Sequence, residues 1–193
     1  HSPYLYNDLE GDFHWDFWNY ATTEHVTFLF EDTNYPRWLL NTLVVGATGA
    51  LGSEICRRLR ARGDAVRALV RTSSSPERVE HLRALGAEIV TGDLKSRVSL
   101  DAAAQGVQTV FSTATALVSQ QPDDSLDRVD HDGQIALIDA ARAAGVDRFV
   151  FVSVLALEPS SAFASAKAAV EQHLQAVRFL DDPQANRDQL GAQ

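Results

Sequence analysis

Residues 43–52 are Leu-Val-Val-Gly-Ala-Thr-Gly-Ala-Leu-Gly, an apolar run that ends in three evenly spaced glycines. The spacing G-x-x-G-x-x-G is a relative of the dinucleotide fingerprint G-x-G-x-x-G. Glycine lets the chain turn sharply and lets its backbone approach a pyrophosphate with no Cβ in between. Residues 53–62 are compatible with a helix, whose N-terminal N–H groups and dipole favour an anion. The stretch therefore predicts a strand, a phosphate-binding turn and a helix. The alternative is a turn whose glycines serve packing alone.

The composition is that of an ordinary globular domain with an acidic surface. The 193 residues are 45% hydrophobic and 22% charged, and the formal net charge is −9. Such a charge repels nucleic acid and anionic membranes, and the apolar runs are far shorter than the ~20 residues of a spanning helix. We therefore expect neither nucleic acid nor a membrane as a partner. We also expect no metal site, because the histidines lack ligand spacing.

Cys56 is the single cysteine of the chain, so no internal disulfide can form. A single cysteine with no disulfide partner in the chain favours a reducing compartment, and we therefore expect a cytoplasmic protein. The cysteine stands beside an isoleucine in the predicted first helix, and we interpret it as a small buried apolar residue.

The first 41 residues differ from the rest. They contain all three tryptophans, all four tyrosines and a single basic residue, Arg37, with no sustained helical or strand period. They lack the basic start and apolar core of a signal peptide, and their aromatic content argues against simple disorder. We expect residues 1–41 to form an irregular arm with little regular structure, which packs over the domain, binds a protein partner or is a poorly ordered extension. Because the chain begins with histidine and has no methionine, we expect a processed or incomplete piece of a longer product.

From residue 42 onward, strand-like and helix-like segments alternate. The predicted strands are 42–46, 65–71, 88–91, 108–112 and 148–153, and the predicted helices are 50–62, 76–85, 98–104, 126–144 and 162–178. This alternation is typical of βαβ units, and hence of a parallel sheet with right-handed crossovers. We expect an α/β fold over residues 42–178: a doubly wound, Rossmann-like sheet of order 3-2-1-4-5, with a polar tail over 179–193. Its ligand would lie beyond the carboxyl ends of strands one and four.

Several motifs in this region resemble one family. They are 44–52, 66–71 (Val-Arg-Ala-Leu-Val-Arg), Gly92-Asp93-Leu94, Asp132-Gly133, 140–153 and 166–171. Through them the chain resembles the atypical short-chain dehydrogenase/reductases, in particular the NmrA-like branch, from residue 42 to about 177. The resemblance implies NAD(P) binding. The implied cofactor-binding residues are Gly46, Thr48, Gly49, Ala50, Leu51, Gly52, Arg71, Asp93, Leu94, Thr113, Ala114, Thr115 and Lys167.

The resemblance also gives some of these residues a specific partner. It implies that Asp93, with Leu94 alongside, contacts the adenine, and that the small residues 113–115 let a ribose lie against the backbone. The alternative for Asp93 is an Asx-type turn residue.

The residue after the predicted second strand bears on the choice between NAD and NADP. Dehydrogenases that prefer NAD place an acid there to bind the ribose 2′-hydroxyl. This chain has Arg71 followed by Thr72-Ser73-Ser74, and a guanidinium with hydroxyls suits a 2′-phosphate. We therefore expect NADP, with NAD as the alternative cofactor. The other interpretation of Arg71 is a solvated loop charge.

The catalytic signature of the superfamily is incomplete. Its reductases typically use Ser, Tyr and Lys, with the tyrosine four residues before the lysine. Ser153 and Lys167 are present and are the candidate catalytic residues, but Phe163 stands at the tyrosine position and has no proton to give. Lys167 is also interpreted as a ribose ligand or a surface lysine. Family members typically continue with a further strand and a small substrate-binding region, neither of which is visible, so we expect a C-terminally short domain.

These features favour an NADP(H)-binding domain of the NmrA-like type over an active enzyme. The alternative is an NADP-dependent oxidoreductase that acts on a small carbonyl-type substrate. The sequence carries no signal of oligomeric state.

Overall fold

The computed structural model describes residues 41–117, 119, 121–154, 161–177 and 179. The predicted arm, apart from Asn41, and the predicted tail, apart from Phe179, lie outside this part of the chain. The boundaries assigned to the arm and the tail therefore stay predictions.

The described residues form one parallel sheet of five strands. The strands are β1 (Thr42–Val45), β2 (Val66–Val70), β3 (Glu88–Thr91), β4 (Thr109–Ser112) and β5 (Arg148–Phe151). Their order is β3-β2-β1-β4-β5, which confirms the predicted doubly wound, Rossmann-like fold. The central strand β1 pairs with β2 and β4, so that Thr42 lies opposite Val66 and Thr109. Every residue of β1 and β4 is buried, as expected for a sheet with two covered faces.

Helices connect the strands. They are α1 (Ala50–Ala61), α2 (Pro76–Ala84), α3 (Arg97–Ala104), α4 (Gln134–Ala143) and α5 (Ala162–Val177). Most bounds agree with the sequence prediction to within one or two residues, which is the usual uncertainty of a helix or strand end.

The predicted helix over 126–144 is present, but its first part is not an α-helix. There the chain forms a π-helix, Leu126–Gly133, which continues directly into α4. The apolar spacing indicates a helix, but it does not reveal whether the backbone hydrogen bonds span four residues, as in an α-helix, or five, as in a π-helix. π-Helical turns are rare and occur frequently at functional sites, so the location of this one matters below.

The core lies between the sheet and its helices. Leu43, Val110, Leu137 and Ile138 are fully buried within it. Cys56 is also fully buried, which confirms it as a small core residue, and burial raises the pKa of its thiol to about 12. Among the described residues, no helix has the length and apolar character needed to cross a membrane.

Candidate dinucleotide-binding site

The glycine turn lies between the carboxyl ends of β1 and β4. Gly46 has φ of +83°, and a Cβ there would lie 2.6 Å from Thr113 Oγ1. A Cβ on Gly52 would overlap the carbonyl oxygen of Gly46 and lie 2.9 Å from the Cα of Ala47. These two glycines are required by packing. A Cβ on Gly49 would meet only the Gly46 carbonyl oxygen, at 3.2 Å, so packing constrains this position least.

The same turn begins α1 and leaves its N-terminus free of side-chain caps. Gly49 is the N-cap residue, and the first turn of the helix carries no acid. The first N–H groups of any helix have no partner within it, and together with the dipole they favour an anion. Thr48, Gly49, Ala50, Leu51 and Gly52 are thus placed together where the sequence predicted them.

Arg78 of α2 adds a positive charge beside this turn. Its guanidinium donates to the carbonyl oxygen of Thr48 over 3.3 Å.

The segment after β4 closes the other side of the turn. The Thr113 hydroxyl donates to the carbonyl oxygen of Val45 over 3.1 Å, and the Thr115 hydroxyl accepts from the backbone N–H of Leu117. Gln134, which is fully buried, accepts from the Ser112 hydroxyl over 2.6 Å and donates to the Ala114 carbonyl over 3.1 Å. Sequence reasoning missed Gln134, because a glutamine at the start of a helix carries no signal of a distant partner.

Arg71 is ion-paired. Its guanidinium donates to the carboxylate of Asp124, which also accepts from Lys95 Nζ over 2.6 Å and from the Ser119 hydroxyl. The Asp124 side chain is 1% exposed. Burial raises the pKa of Asp124, but the hydrogen bonds from Lys95, Ser119 and Arg71 outweigh it and hold that pKa at about 2. Arg71 is therefore an ion-paired residue whose side chain is 40% exposed.

The loop after β3 holds the other two residues assigned to the adenosine end. Asp93 Oδ1 accepts from the backbone N–H of Lys95 over 2.9 Å, which is an Asx-type turn. Leu94 is 7% exposed and packs in the core against Gly133. Their adenine contact stays a prediction.

Lys167 is buried beside two aromatic rings and an acid. Its Nζ is 3.3 Å from Asp130 Oδ1, 4.6 Å from the ring centre of Phe151 and 5.3 Å from that of Phe163. Burial lowers the pKa of Lys167, and the negative charges of Asp130 and Glu171 oppose that shift. Lys167 is 4% exposed, so it is not a surface lysine.

Asp130 connects this lysine to the segment after β4. It lies in the π-helix and is fully buried, and its second oxygen accepts from the backbone N–H of Ala116 over 2.8 Å. Sequence reasoning missed it, although it stands two residues before the Asp132-Gly133 motif.

Ser153 does not have Lys167 as its hydrogen-bond partner. Its hydroxyl donates to the carboxylate of Glu171, one turn further along α5 than Lys167. The carboxylate that Ser153 contacts is thus Glu171, whereas the acid that Lys167 contacts is Asp130. The i, i+4 spacing of Lys167 and Glu171 is a signal that could have identified this acid.

The sequence model of the NmrA-like family matches residues 41–180, which is more than half of the chain. The chain belongs to the NmrA-like family. The resemblance of the sequence motifs to this family is thereby confirmed, and the parallel sheet and glycine turn agree with it.

Two curated relatives of this NmrA-like chain illustrate different named roles. The ceramide reductase of Caulobacter vibrioides is 40% identical over 144 residues, covering 74% of this chain and 43% of the relative. The photosystem II assembly factor Ycf39 of Trieres chinensis is 38% identical over 114 residues, covering 59% of this chain and 34% of the relative. Across the curated relatives that match at 34–40% identity, the chain spans 27–49% of their length.

Several solved structures that this chain resembles contain nicotinamide dinucleotides. A short-chain dehydrogenase/reductase superfamily protein of Agrobacterium tumefaciens with bound NAD is 30% identical, with a TM-score of 0.55 and coverage of 70% of this chain and 44% of its own. AtPrR2 with NADP+ and (+)pinoresinol is 25% identical, with a TM-score of 0.58 and coverage of 72% and 47%. The predicted class of cofactor agrees with what these neighbours hold. The tight glycines and the uncapped, acid-free start of α1 fit such a group.

Proposed function

We propose that this NmrA-like domain binds a nicotinamide dinucleotide at the carboxyl edge of its sheet and prefers NADP(H). The observation that carries the proposal is the uncapped N-terminus of α1 behind the glycine turn, between β1 and β4. The turn and the first N–H groups of α1 hold the pyrophosphate, and Arg71 holds the 2′-phosphate. When bound, the cofactor supplies the chemistry of hydride transfer.

Gly49→Asp separates phosphate binding from fold stability. Gly49 has φ of −78° and ψ of 167°, a conformation that aspartate adopts without strain, and aspartate is a strong N-cap. The capping gain offsets the 3.2 Å contact of the new Cβ with the Gly46 carbonyl oxygen, so we expect little change in melting temperature. NADPH and NADH binding should fall at least about tenfold because the carboxylate repels the pyrophosphate.

The matched control for Gly49→Asp is Gln105→Glu. This variant adds the same charge at an exposed position beyond the end of α3. It should leave calorimetric titrations with both dinucleotides unchanged. Wild-type protein that binds neither dinucleotide, or Gly49→Asp protein that binds them normally, contradicts the proposal.

The preference for NADP(H) is tested separately through Arg71. We expect Arg71→Ala to weaken NADPH binding and leave NADH binding nearly unchanged, because only NADPH carries the 2′-phosphate. Arg57→Ala is the control, since Arg57 is a half-exposed arginine ion-paired with Glu54 on α1. If NADH binds as tightly as NADPH and Arg71→Ala changes neither, the preference is wrong.

A second candidate function is NADP-dependent reduction of a small carbonyl-type substrate. Lys167 favours it, because burial lowers the pKa of this lysine, and a lysine in such surroundings is suited to proton transfer. Phe163 at the tyrosine position argues for binding without turnover. Incubation with NADPH and a panel of carbonyl compounds separates the two functions. Steady turnover that Lys167→Ala abolishes identifies an enzyme. If none of the carbonyl compounds is reduced, the binding domain is favoured.

We also propose that the protein binds a protein partner and is cytoplasmic. Both rest on the sequence: the partner on the aromatic, acidic composition of residues 1–41, and the location on the single cysteine.

A further inference from the structure

Asp124 joins three loops at the carboxyl edge of the sheet. Arg71 directly follows β2, Lys95 follows β3, and Ser119 and Asp124 lie in the segment that follows β4. All three partners donate to the Asp124 carboxylate, which is 1% exposed, whereas the Arg71 side chain is 40% exposed. We call these four residues the Asp124 cluster.

The donors of the Asp124 cluster form a set that suits a phosphate monoester. A guanidinium, an ammonium and a hydroxyl converge on one anionic group, and each supplies a charge-assisted or strong hydrogen bond to oxygen. In this structure the anionic group is a carboxylate of the chain itself. The oxygens of Asp124 therefore take the hydrogen bonds that a bound phosphate would need.

The charges around the cluster are balanced without any ligand. Arg71 and Lys95 are positive, Asp124 is negative, and Asp93 Oδ2 lies 3.8 Å from Lys95 Nζ as a second negative charge. The positive charges available to a phosphate are therefore already neutralised by carboxylates of the chain. Because the pKa of Asp124 is held at about 2, this compensation persists at neutral pH.

We propose that Asp124 is an internal competitor of the 2′-phosphate of NADP(H), and that it sets how strongly the site discriminates NADP(H) from NAD(H). The inference rests on the proposed dinucleotide site. Asp124 holds Arg71 Nη1 and Lys95 Nζ, so a 2′-phosphate that binds these two donors together displaces the Asp124 carboxylate. A ribose 2′-hydroxyl requires no such exchange, so Asp124 lowers affinity for NADP(H) and leaves NAD(H) nearly unaffected.

The first experiment compares Asp124→Asn with Asp123→Asn in full-chain protein by calorimetry. The asparagine keeps the size of the side chain and removes its charge. Asp123→Asn removes the same charge one residue earlier, where the side chain is 78% exposed and 3.9 Å from Arg128. The ligands are NADPH, NADH, adenosine 2′,5′-bisphosphate and adenosine 5′-monophosphate, the last two probing the adenosine end alone.

We expect Asp124→Asn to tighten binding of NADPH and the bisphosphate by about tenfold, because a charge-assisted hydrogen-bond competitor is lost. Binding of NADH and the monophosphate should stay near the wild-type value, and Asp123→Asn should change none of the four. Weaker binding of the 2′-phosphorylated ligands in Asp124→Asn would make Asp124 a positioning residue and overturn the inference. Equal effects of the two variants, or equal tightening of all four ligands, would overturn it as well.

A second measurement uses wild-type protein and therefore does not depend on how the variant folds. Displacement of Asp124 should loosen its own loop, where Ser119 N–H donates to the Ala116 carbonyl and Asp124 N–H donates to the Gln121 carbonyl. Saturating bisphosphate should therefore speed amide hydrogen exchange at Ser119 and Asp124, relative to saturating monophosphate. Equal or slower exchange with the bisphosphate contradicts the inference.

The outcomes for the inference and for the proposed function are distinguishable. Wild-type protein that binds neither NADPH nor NADH refutes both. Wild-type protein that prefers NADH, with Asp124→Asn shifting the ratio towards NADPH, refutes the NADP preference and supports the role of Asp124. Wild-type protein that prefers NADPH, with no shift in Asp124→Asn, supports the preference and refutes the role of Asp124.

Discussion

We expect Lys167→Met to destabilise the domain by about 3–5 kcal/mol, the cost of removing one partner of a buried ion pair. Asp130 is fully buried and Lys167 is 4% exposed, with 3.3 Å between Nζ and Oδ1. Methionine matches the length of the lysine stem and packs well against the rings of Phe151 and Phe163, so the loss is chiefly that of the charge. For a chain of this size, about 3 kcal/mol corresponds to a fall in melting temperature of roughly 6–12 °C.

The double variant Lys167→Met/Asp130→Asn should recover about 2–3 kcal/mol of that loss, because no charge is then left buried. The carboxamide oxygen of asparagine can still accept from the Ala116 N–H, which now pairs with Asp130 over 2.8 Å. The assay is urea unfolding followed by circular dichroism, on the wild type, both single variants and the double variant.

The Arg97–Asp101 pair of α3 is the control cycle. Its N–O distance is shorter, 2.7 Å, but its side chains are 47% and 46% exposed. We expect a coupling energy below about 1 kcal/mol for it. A coupling energy for Lys167 and Asp130 that does not exceed that of this exposed pair would refute the reasoning, because burial would then not control the strength of the interaction.

Three further predictions concern the glycine turn, acid stability and the tyrosine position. Gly52→Ala should cost about 2–4 kcal/mol in urea unfolding, because its Cβ would overlap the backbone of the turn, whereas Ser53→Ala next to it should cost under about 0.5 kcal/mol. The pKa of Asp124 in the folded protein, about 2, lies below its usual 3.8, so the stabilisation from Asp124 is present above about pH 4 and is lost as the pH falls towards 2. In Asp124→Asn, the free energy of unfolding should therefore depend less on pH between about 4 and 2. Phe163→Tyr should place a phenol beside Lys167, whose Nζ lies 5.3 Å from the ring centre, and the ammonium should lower the pKa of that phenol below ~10 in an ultraviolet titration. Adding Lys167→Met should restore the ordinary phenol pKa, and an unshifted phenol in Phe163→Tyr would contradict the placement of the lysine.

The fold could be predicted from the sequence because its determinants are local. Apolar runs such as 42–45, glycines at the turns and proline at the start of α2 each specify their own segment, and the alternation of strands and helices then restricts the sheet to few orders. The π type of the helix over Leu126–Gly133 was missed because, in eight residues, the apolar spacing of a π-helix cannot be told from that of an α-helix. The glycine turn was found for the same local reason as the fold.

The acids of the site were missed because they are distant in sequence from the groups they contact. Arg71 and Asp124 are 53 residues apart, and Ser153 and Glu171 are 18 apart. Nothing in the neighbourhood of an arginine or serine indicates which carboxylate the fold brings to it. The sequence therefore identified Arg71 and Ser153, but not the carboxylates that accept hydrogen bonds from them.

This compensation of charge differs between the two ends of the proposed site. Lys167 and Asp130 are both buried, so a ligand that separated them would leave a charge without water or partner, which is costly. Arg71 is 40% exposed, so its guanidinium regains water when it leaves Asp124, whereas the Asp124 carboxylate is 1% exposed and regains water only when its loop opens. We infer that an anionic ligand displaces Asp124 from Arg71 at one end, whereas at the other end it binds without separating Lys167 from Asp130. Discrimination between ligands by charge should therefore arise at Asp124, and positioning of the ligand at Lys167.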